Sequence, residues 1–158
     1  MLDKPQYLTK DGMDAIEERL NEFITVKRME VAERLKRAIQ DGGELTENSE
    51  YEDAKNEQAF VEAEISRMSI IMRNAKLIDE THLSKDNVQI GSHVVVVEVG
   101  TKDEEDYQLV GSAEANPLAG KISDESPLGK SLLGAKVGDK VQVKAPDGMI
   151  TFSIKKIH

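Results

Sequence analysis

The chain has 158 residues, 39% of them hydrophobic, and it contains no cysteine. This length fits one ordinary domain or two small ones, and the missing cysteines exclude a disulfide framework, a thiolate nucleophile and a cysteine-based zinc site. The formal net charge of −9 at pH 7 argues against a protein that coats nucleic acid by itself, because the phosphates would be repelled. A basic protein partner fits this charge better.

The sequence predicts a cytoplasmic protein with no membrane segment. We recognise no signal-peptide pattern before the first polar residues. The longest apolar run, from Val94 to Val97, is far too short to span a bilayer.

The first predicted element is a long helix from Thr9 to about Gln40. Its apolar residues recur at steps of three and four, as on one face of a helix. Thr9 is a candidate N-cap, and the glycine pair Gly42 and Gly43 ends the helix. The apolar stripe drifts near Lys27, as a small break in a seven-residue repeat allows. The residues of the stripe are Met13, Ile16, Leu20, Phe23, Ile24, Val31, Leu35, Ala38 and Ile39.

A second helix is predicted from about Thr46 to Ala75, with Thr46 or Asn48 as its N-cap. It keeps a stricter heptad pattern than the first. Since only a few residues separate the two helices, they are expected to form an antiparallel coiled-coil hairpin about 45 Å long. A hairpin that buries its own apolar seam favours a monomer. The heptad residues are Tyr51, Ala54, Gln58, Val61, Ile65, Met68, Met72 and Ala75.

The period changes beyond Ile78. The polar segment Asp79–Asn87 is interpreted as a linker, which divides the chain into domains at residues 1–79 and 80–158. Val88–Val99 is strand-like, Thr101–Asp106 is a charged turn, and Tyr107–Ser112 is the returning strand.

The rest of the second half adds one short helix and a second β-hairpin. The helix is predicted to begin at Ser126, with Pro127 as its first residue and Gly134 closing it. Strands are predicted at Val141–Lys144 and Ile150–Ile157, around a Pro-Asp-Gly turn. The fold class is therefore α+β, with a long helical hairpin followed by a small β-rich domain.

The segment between the two long helices is a cluster of carboxylates. From Asp41 to Glu50 it has no Lys or Arg. Such acids are usually solvated helix-end residues, and those in the first turn of the second helix favour its dipole. Glu44 and Glu47, however, are three residues apart and can point the same way, as oxygen ligands of Mg²⁺ must. Two carboxylates alone make a weak site, so waters, substrate phosphates or another protein's carboxylates would have to supply the remaining ligands.

Other candidate chemistry is weaker. The three histidines, His82, His93 and His158, are scattered and form no catalytic triad in the sequence. Ser126 has no partner base in view, so a helix-capping role is favoured over a nucleophilic one.

Two segments of the sequence form distinctive motifs. The first is Gly43–Tyr51, GELTENSEY, with Ala54–Glu62, AKNEQAFVE, after it. The second is Ser112–Ala115, SAEA, with Gly120–Leu128, GKISDESPL, and its continuation towards Gly138. These segments resemble the bacterial Gre family of transcript cleavage and elongation factors, and the resemblance covers nearly the whole chain.

This resemblance implies a coiled coil followed by a domain of FKBP-like fold. Family members dock the second domain on RNA polymerase and insert the coiled coil into its secondary channel. The acids at the tip then help the polymerase to hold Mg²⁺ and to hydrolyse its own backtracked RNA at the 3′ end. The expected protein is thus an elongation factor without a catalytic centre or metal of its own.

Residue roles follow from the same motifs. The two tip acids of the family fall on Glu44 and Glu47, and its polymerase-docking segment falls on Ser126 and Pro127. Lys55 matches a basic residue expected near the RNA 3′ end.

The tip departs from the family pattern in two ways. Its first acid is usually Asp, and the loop here is one residue longer. Three alternatives remain: Glu44 compensates for the altered loop, Asp41 takes part, or cleavage is weaker. A channel-binding inhibitor is the first rival function, and a chaperone or prolyl isomerase is a more distant one.

Overall fold

A computed structural model describes residues 4–41 and 48–158. By their contacts, these residues form two units. One unit runs from Met13 to Asn74, and the other joins Lys4–Gly12 to Ala75–His158. None of the described helices is long and apolar enough to cross a membrane.

The first unit is the helical hairpin. Its first arm consists of α1, Lys10–Glu22, a π-helical turn, Phe23–Lys27, and α2, Arg28–Asp41. Its second arm is α3, Ser49–Arg73. Buried apolar side chains form the seam between the arms, with Ile16 and Leu20 packed against them. The buried members are Phe23, Val31, Val61, Ile65 and Met68.

The π-helical turn explains the drift of the apolar stripe. Buried and half-buried residues step by three from Leu20 to Phe23, then by four to Lys27 and by four again to Val31. The Arg28 amide donates to the Phe23 carbonyl five residues earlier, and this wider turn absorbs one extra residue.

Part of the predicted stripe is exposed. Ile24, inside the π-helical turn, is 40% exposed, and Ile39 near the end of α2 is 49% exposed. Near the end of α3, Ile71 is buried whereas Met72 is only partly buried. The prediction was wrong at Ile24 and Ile39.

The second unit contains two sheets. Strands β1, Gln6–Leu8, and β2, Ala75–Leu77, pair in parallel. The larger sheet has the order β5-β4-β3-β7-β6, with only β4 and β5 parallel. Its strands are β3, His93–Glu98, β4, Glu104–Val110, β5, Lys121–Ser123, β6, Lys140–Ala145, and β7, Gly148–Ile157.

One face of the larger sheet is covered by the short helix α4, Pro127–Leu132. Leu132 is fully buried in the core of this unit, with Val96, Leu109 and Ile154. The predicted α+β class, the β6–β7 hairpin and the short helix are confirmed. The charged turn is shorter than predicted, because β4 begins at Glu104.

Candidate functional site

The predicted tip acids Glu44 and Glu47 lie outside the described residues. The structure does define the helix ends on both sides of them. Asp41 is the last residue of α2 and is exposed, and Asn48 is the N-cap of α3. Six residues therefore connect these two helix ends.

Asn48 joins the two arms of the hairpin. Its Oδ1 accepts a hydrogen bond from the Tyr51 amide at 3.1 Å, which caps α3. Its Nδ2 donates to the Ala38 carbonyl oxygen in the last turn of α2 at 2.8 Å. The side chain is buried, and Asn48 as a whole is 7% exposed. One residue thus satisfies backbone groups at the end of one helix and the start of the next.

The flank next to this cap carries paired charges. The Arg34 guanidinium donates hydrogen bonds to Glu57 and, at 3.4 Å, to Glu50. The hydrogen bond that Arg34 donates to Glu57 is the main cause that raises the pKa of Arg34 above its usual value. Arg37 lies 3.8 Å from Glu33 on its own helix. A surface cleft here is lined by Arg34, Arg37, Ala38, Asp41, Asn48 and Glu50.

Lys55 is exposed on α3. Its Nζ lies 3.3 Å from Oε1 of Gln58. It follows Asn48 by seven residues, which places it about 10 Å further along the helix axis. Its contact with RNA stays a prediction.

The predicted docking residues begin α4. The Ser126 hydroxyl accepts a hydrogen bond from the Gly129 amide at 3.0 Å and donates to the Ser123 carbonyl oxygen at 2.7 Å. The predicted capping role of Ser126 is therefore confirmed. Pro127 is exposed, whereas Ser126 is partly buried. A Cβ on Gly129 would lie 1.9 Å from the Ser123 carbonyl oxygen, so this turn requires glycine.

Glu114 is an interaction site that sequence reasoning missed. Its carboxylate accepts hydrogen bonds from the Thr9 amide at 2.8 Å and the Thr9 hydroxyl at 2.6 Å. Lys121 Nζ lies 3.1 Å from the same carboxylate. The sequence predicts Thr9 as an N-cap, but 105 positions separate it from Glu114, and no local pattern indicates that pairing.

The histidines have separate environments. His82 Nδ1 lies 2.6 Å from Oδ2 of Asp79, and the His93 and His158 rings pack with their centroids 5.5 Å apart. Hydrogen bonds from Thr81, then from His82, lower the pKa of Asp79 from 3.8 to about 2. Within residues 4–41 and 48–158, no group of three or more His, Asp or Glu side chains is placed to bind a metal.

Comparison with known proteins identifies relatives over the full length. One family model, for the N-terminal part of transcription elongation factors, matches residues 6–77. Another, for the C-terminal part of the transcription elongation factors GreA and GreB, matches residues 83–158.

Curated relatives that carry the name transcription elongation factor GreA include proteins from Thermoanaerobacter pseudethanolicus and Lactococcus lactis. The one from Thermoanaerobacter pseudethanolicus is 50% identical over 157 residues, which cover 99% of each chain. The one from Lactococcus lactis subsp. cremoris strain MG1363 is 47% identical over 156 residues, again 99% of each chain. Among solved structures, GreA factor homolog 1 of Thermus thermophilus is 30% identical, with 98% of this chain and 99% of that chain covered and a TM-score of 0.45.

A helical hairpin with an acidic segment between its arms, joined to a β-rich unit, defines a class of two-unit transcription elongation factors. The chain belongs to the GreA/GreB family of these factors.

Proposed function

We propose that this factor binds RNA polymerase and stimulates the polymerase to cleave its own backtracked RNA. The second unit docks through the segment that contains Ser126 and Pro127. The hairpin enters the secondary channel, where Glu44 and Glu47 approach the catalytic Mg²⁺. The factor works in the cytoplasm as a monomer and has no nuclease activity by itself.

The observation that carries this proposal is the cap at Asn48. Its bonds to Ala38 and Tyr51 hold the ends of α2 and α3 together. The described residues on either side of positions 42–47, Asp41 and Asn48, therefore belong to adjacent ends of one hairpin. Both tip glutamates belong to this short connection, so the same pair of helices carries both carboxylates towards one site.

The distribution of charge also supports the proposal. Near the cap, the partly exposed Arg34 is ion-paired with carboxylates of α3. An ion-paired arginine neutralises less of the charge of a neighbouring acid than a free one. The tip thus keeps its negative charge for a cation or a basic channel.

The Mg²⁺ ion would belong to the polymerase. Glutamate carboxylates are suitable ligands for this hard cation, and when bound the ion can lower the pKa of a water molecule and stabilise the charge on a phosphoryl oxygen. The contribution of this chain is to place two carboxylates beside an ion whose other ligands come from the enzyme and its RNA.

The proposal is tested with stalled, backtracked polymerase complexes that contain RNA labelled at the 5′ end. The rate of RNA shortening is measured with no factor, with the wild type, and with Glu44→Gln or Glu47→Gln, which keep the side-chain size and remove the charge. Asp53→Asn is a matched control, since Asp53 is an exposed acid of α3. We expect the wild type and the control to accelerate cleavage equally and each tip variant to lose most of the effect.

Two results would contradict the proposal. Equal cleavage with and without the wild-type factor would exclude stimulation, and equal cleavage by wild type and tip variants would exclude the catalytic role of the acids. The rate of nucleotide addition on an unobstructed template is measured in parallel. An inhibitor of the polymerase would slow this rate, whereas a cleavage factor acts mainly on paused complexes.

A further inference from the structure

The first turn of α1 is capped by the side chain of Glu114, a residue 105 positions after Thr9 in the sequence. In an ordinary capping box, the N-cap hydroxyl bonds the amide three residues on, and a Glu at that third position returns a bond to the N-cap amide. Here Thr9 Oγ1 accepts from the Gly12 amide at 3.0 Å, as expected. The returning carboxylate, however, belongs to Glu114.

Gly12 makes room for this remote carboxylate. A Cβ on Gly12 would lie 2.3 Å from the Glu114 carboxyl carbon and from its Oε1. Glycine is otherwise a poor choice inside a helix, because alanine loses less conformational entropy there. The sequence Thr9-x-x-Gly12 is therefore half of a capping box whose other half is Glu114.

The rest of the N-terminal segment is fastened to the same part of the second unit. Lys4 forms an ion pair with Glu125, the residue before the Ser126 cap. A Cβ on Gly111 would lie 2.3 Å from the Tyr7 carbonyl oxygen, so the two backbones are in close contact. Residues 4–9 thus lie along the segment 111–125 that leads into the docking residues.

The contact at Glu114 is the most buried polar part of this arrangement. The Glu114 side chain is 4% exposed and Thr9 is 3% exposed. The carboxylate receives three hydrogen-bond donors, two from Thr9 and one from Lys121. Buried, fully paired groups of this kind fix geometry, because any displacement leaves a donor or acceptor unsatisfied.

We propose that Glu114 is a positioning residue for cleavage stimulation: by capping α1 within the second unit, it fixes the start of the helix that leads to the acidic tip. This inference rests on the proposed function. Loss of Glu114 leaves the docking residues and the tip acids unchanged. It should therefore reduce the maximal rate of stimulated cleavage without weakening the binding of the factor to polymerase.

The test compares Glu114→Ala with Glu98→Gln, which removes one exposed charge from the second unit and serves as the control. The cleavage rate is measured over a range of factor concentrations, to separate the half-saturating concentration from the maximal rate. For Glu114→Ala we expect an unchanged half-saturating concentration and a maximal rate about tenfold lower, since small misplacements of reacting groups are costly. Glu114→Gln keeps one acceptor oxygen, so its maximal rate should lie between the rates of Glu114→Ala and the Glu98→Gln control.

Amide hydrogen exchange at Thr9 reports on the cap directly, and this measurement does not depend on cleavage activity. The Thr9 amide donates to Glu114, so Glu114→Ala should accelerate its exchange, whereas Glu98→Gln should not. Thr9→Val, which removes only the hydroxyl, serves as a milder second variant if Glu114→Ala does not fold.

Gly12→Ala separates positioning from simple helix stability. If the cap had no functional role, the new methyl group would displace the carboxylate without changing the maximal rate. If Glu114 positions α1, Gly12→Ala displaces the carboxylate and lowers the maximal rate. Adding Glu114→Ala removes the group with which the new methyl collides, so the two effects should not add.

The proposed function and the positioning role of Glu114 can be refuted separately. A wild-type factor that does not stimulate cleavage would refute the proposed function, and the inference with it. An active wild type whose maximal rate is unaffected by Glu114→Ala, although the Thr9 amide exchanges faster, would refute only the inference. A higher half-saturating concentration with an unchanged maximal rate would also overturn it, because Glu114 would then serve binding.

Discussion

Asn48→Ala should destabilise the hairpin by about 2 kcal/mol. Loss of an N-cap side chain costs about 1 kcal/mol. Loss of the bond to the Ala38 carbonyl, in a residue that is 7% exposed, costs about 1 kcal/mol more. Urea unfolding followed by circular dichroism at the helix band measures the sum. With a urea m-value of about 2 kcal/mol per M, the midpoint should fall by about 1 M.

Asn48→Ser is the matched control for this prediction. Serine caps helices about as well as asparagine does, but it is too short to replace the amide donor to Ala38. The free energy of unfolding should therefore fall by only about 1 kcal/mol, the contribution of the hydrogen bond to the Ala38 carbonyl. Ordinary surface substitutions change the free energy of unfolding by less than about 0.5 kcal/mol. A loss within that range for Asn48→Ala would refute the claim that Asn48 joins the two arms. Equal losses for the two variants would refute the role of Ala38.

Three further predictions concern other parts of the chain. Gly129→Ala should lower the free energy of unfolding by about 1–3 kcal/mol, since its Cβ would meet the Ser123 carbonyl oxygen, and thermal unfolding measures this. Deletion of Thr25, within the π-helical turn, should cost less stability than deletion of Glu33 in regular helix, because it removes the extra residue; equal urea midpoints would contradict this. The lowered pKa of Asp79, about 2, stabilises the fold above pH 3.8, and this contribution is lost as the pH falls towards 2; an NMR titration of the carboxyl carbon with a midpoint near 4 would contradict it.

The elements set by local chemistry could be predicted from the sequence. Apolar spacing gave both arms of the hairpin, and Asn48 was one of two candidate caps for α3. The Ser126-Pro127 start of α4 and the β6–β7 hairpin also follow from residues that are close in sequence. Each of these features needs only neighbours within a few positions.

The features that depend on distant partners could not be predicted. Strand β1 has three residues and exists because β2, near residue 75, pairs with it in parallel. The pairing of Thr9 with Glu114 has no local sequence signal for the same reason. At Ile24, the predicted apolar stripe failed because the extra residue of the π-helical turn changes which side chains face the seam.

The candidate site therefore rests partly on sequence and partly on structure. The structure defines the helix ends at Asp41 and Asn48 and the environments of Lys55, Ser126 and Pro127. The roles of Glu44 and Glu47 stay predictions from the motif. Glu44→Asp, which restores the usual acid of the family, tests whether the longer side chain compensates for the longer loop.

The most direct test of the central claim is the Mg²⁺ dependence of stimulated cleavage. Cleavage by a backtracked polymerase is measured over a range of Mg²⁺ concentrations, with the factor saturating and either wild type or Glu47→Gln. If the tip carboxylates complete the coordination of the ion, the variant requires more Mg²⁺ for half-maximal cleavage, and high Mg²⁺ restores part of the rate. The same Mg²⁺ requirement for both proteins would contradict the claim that these carboxylates act through the metal.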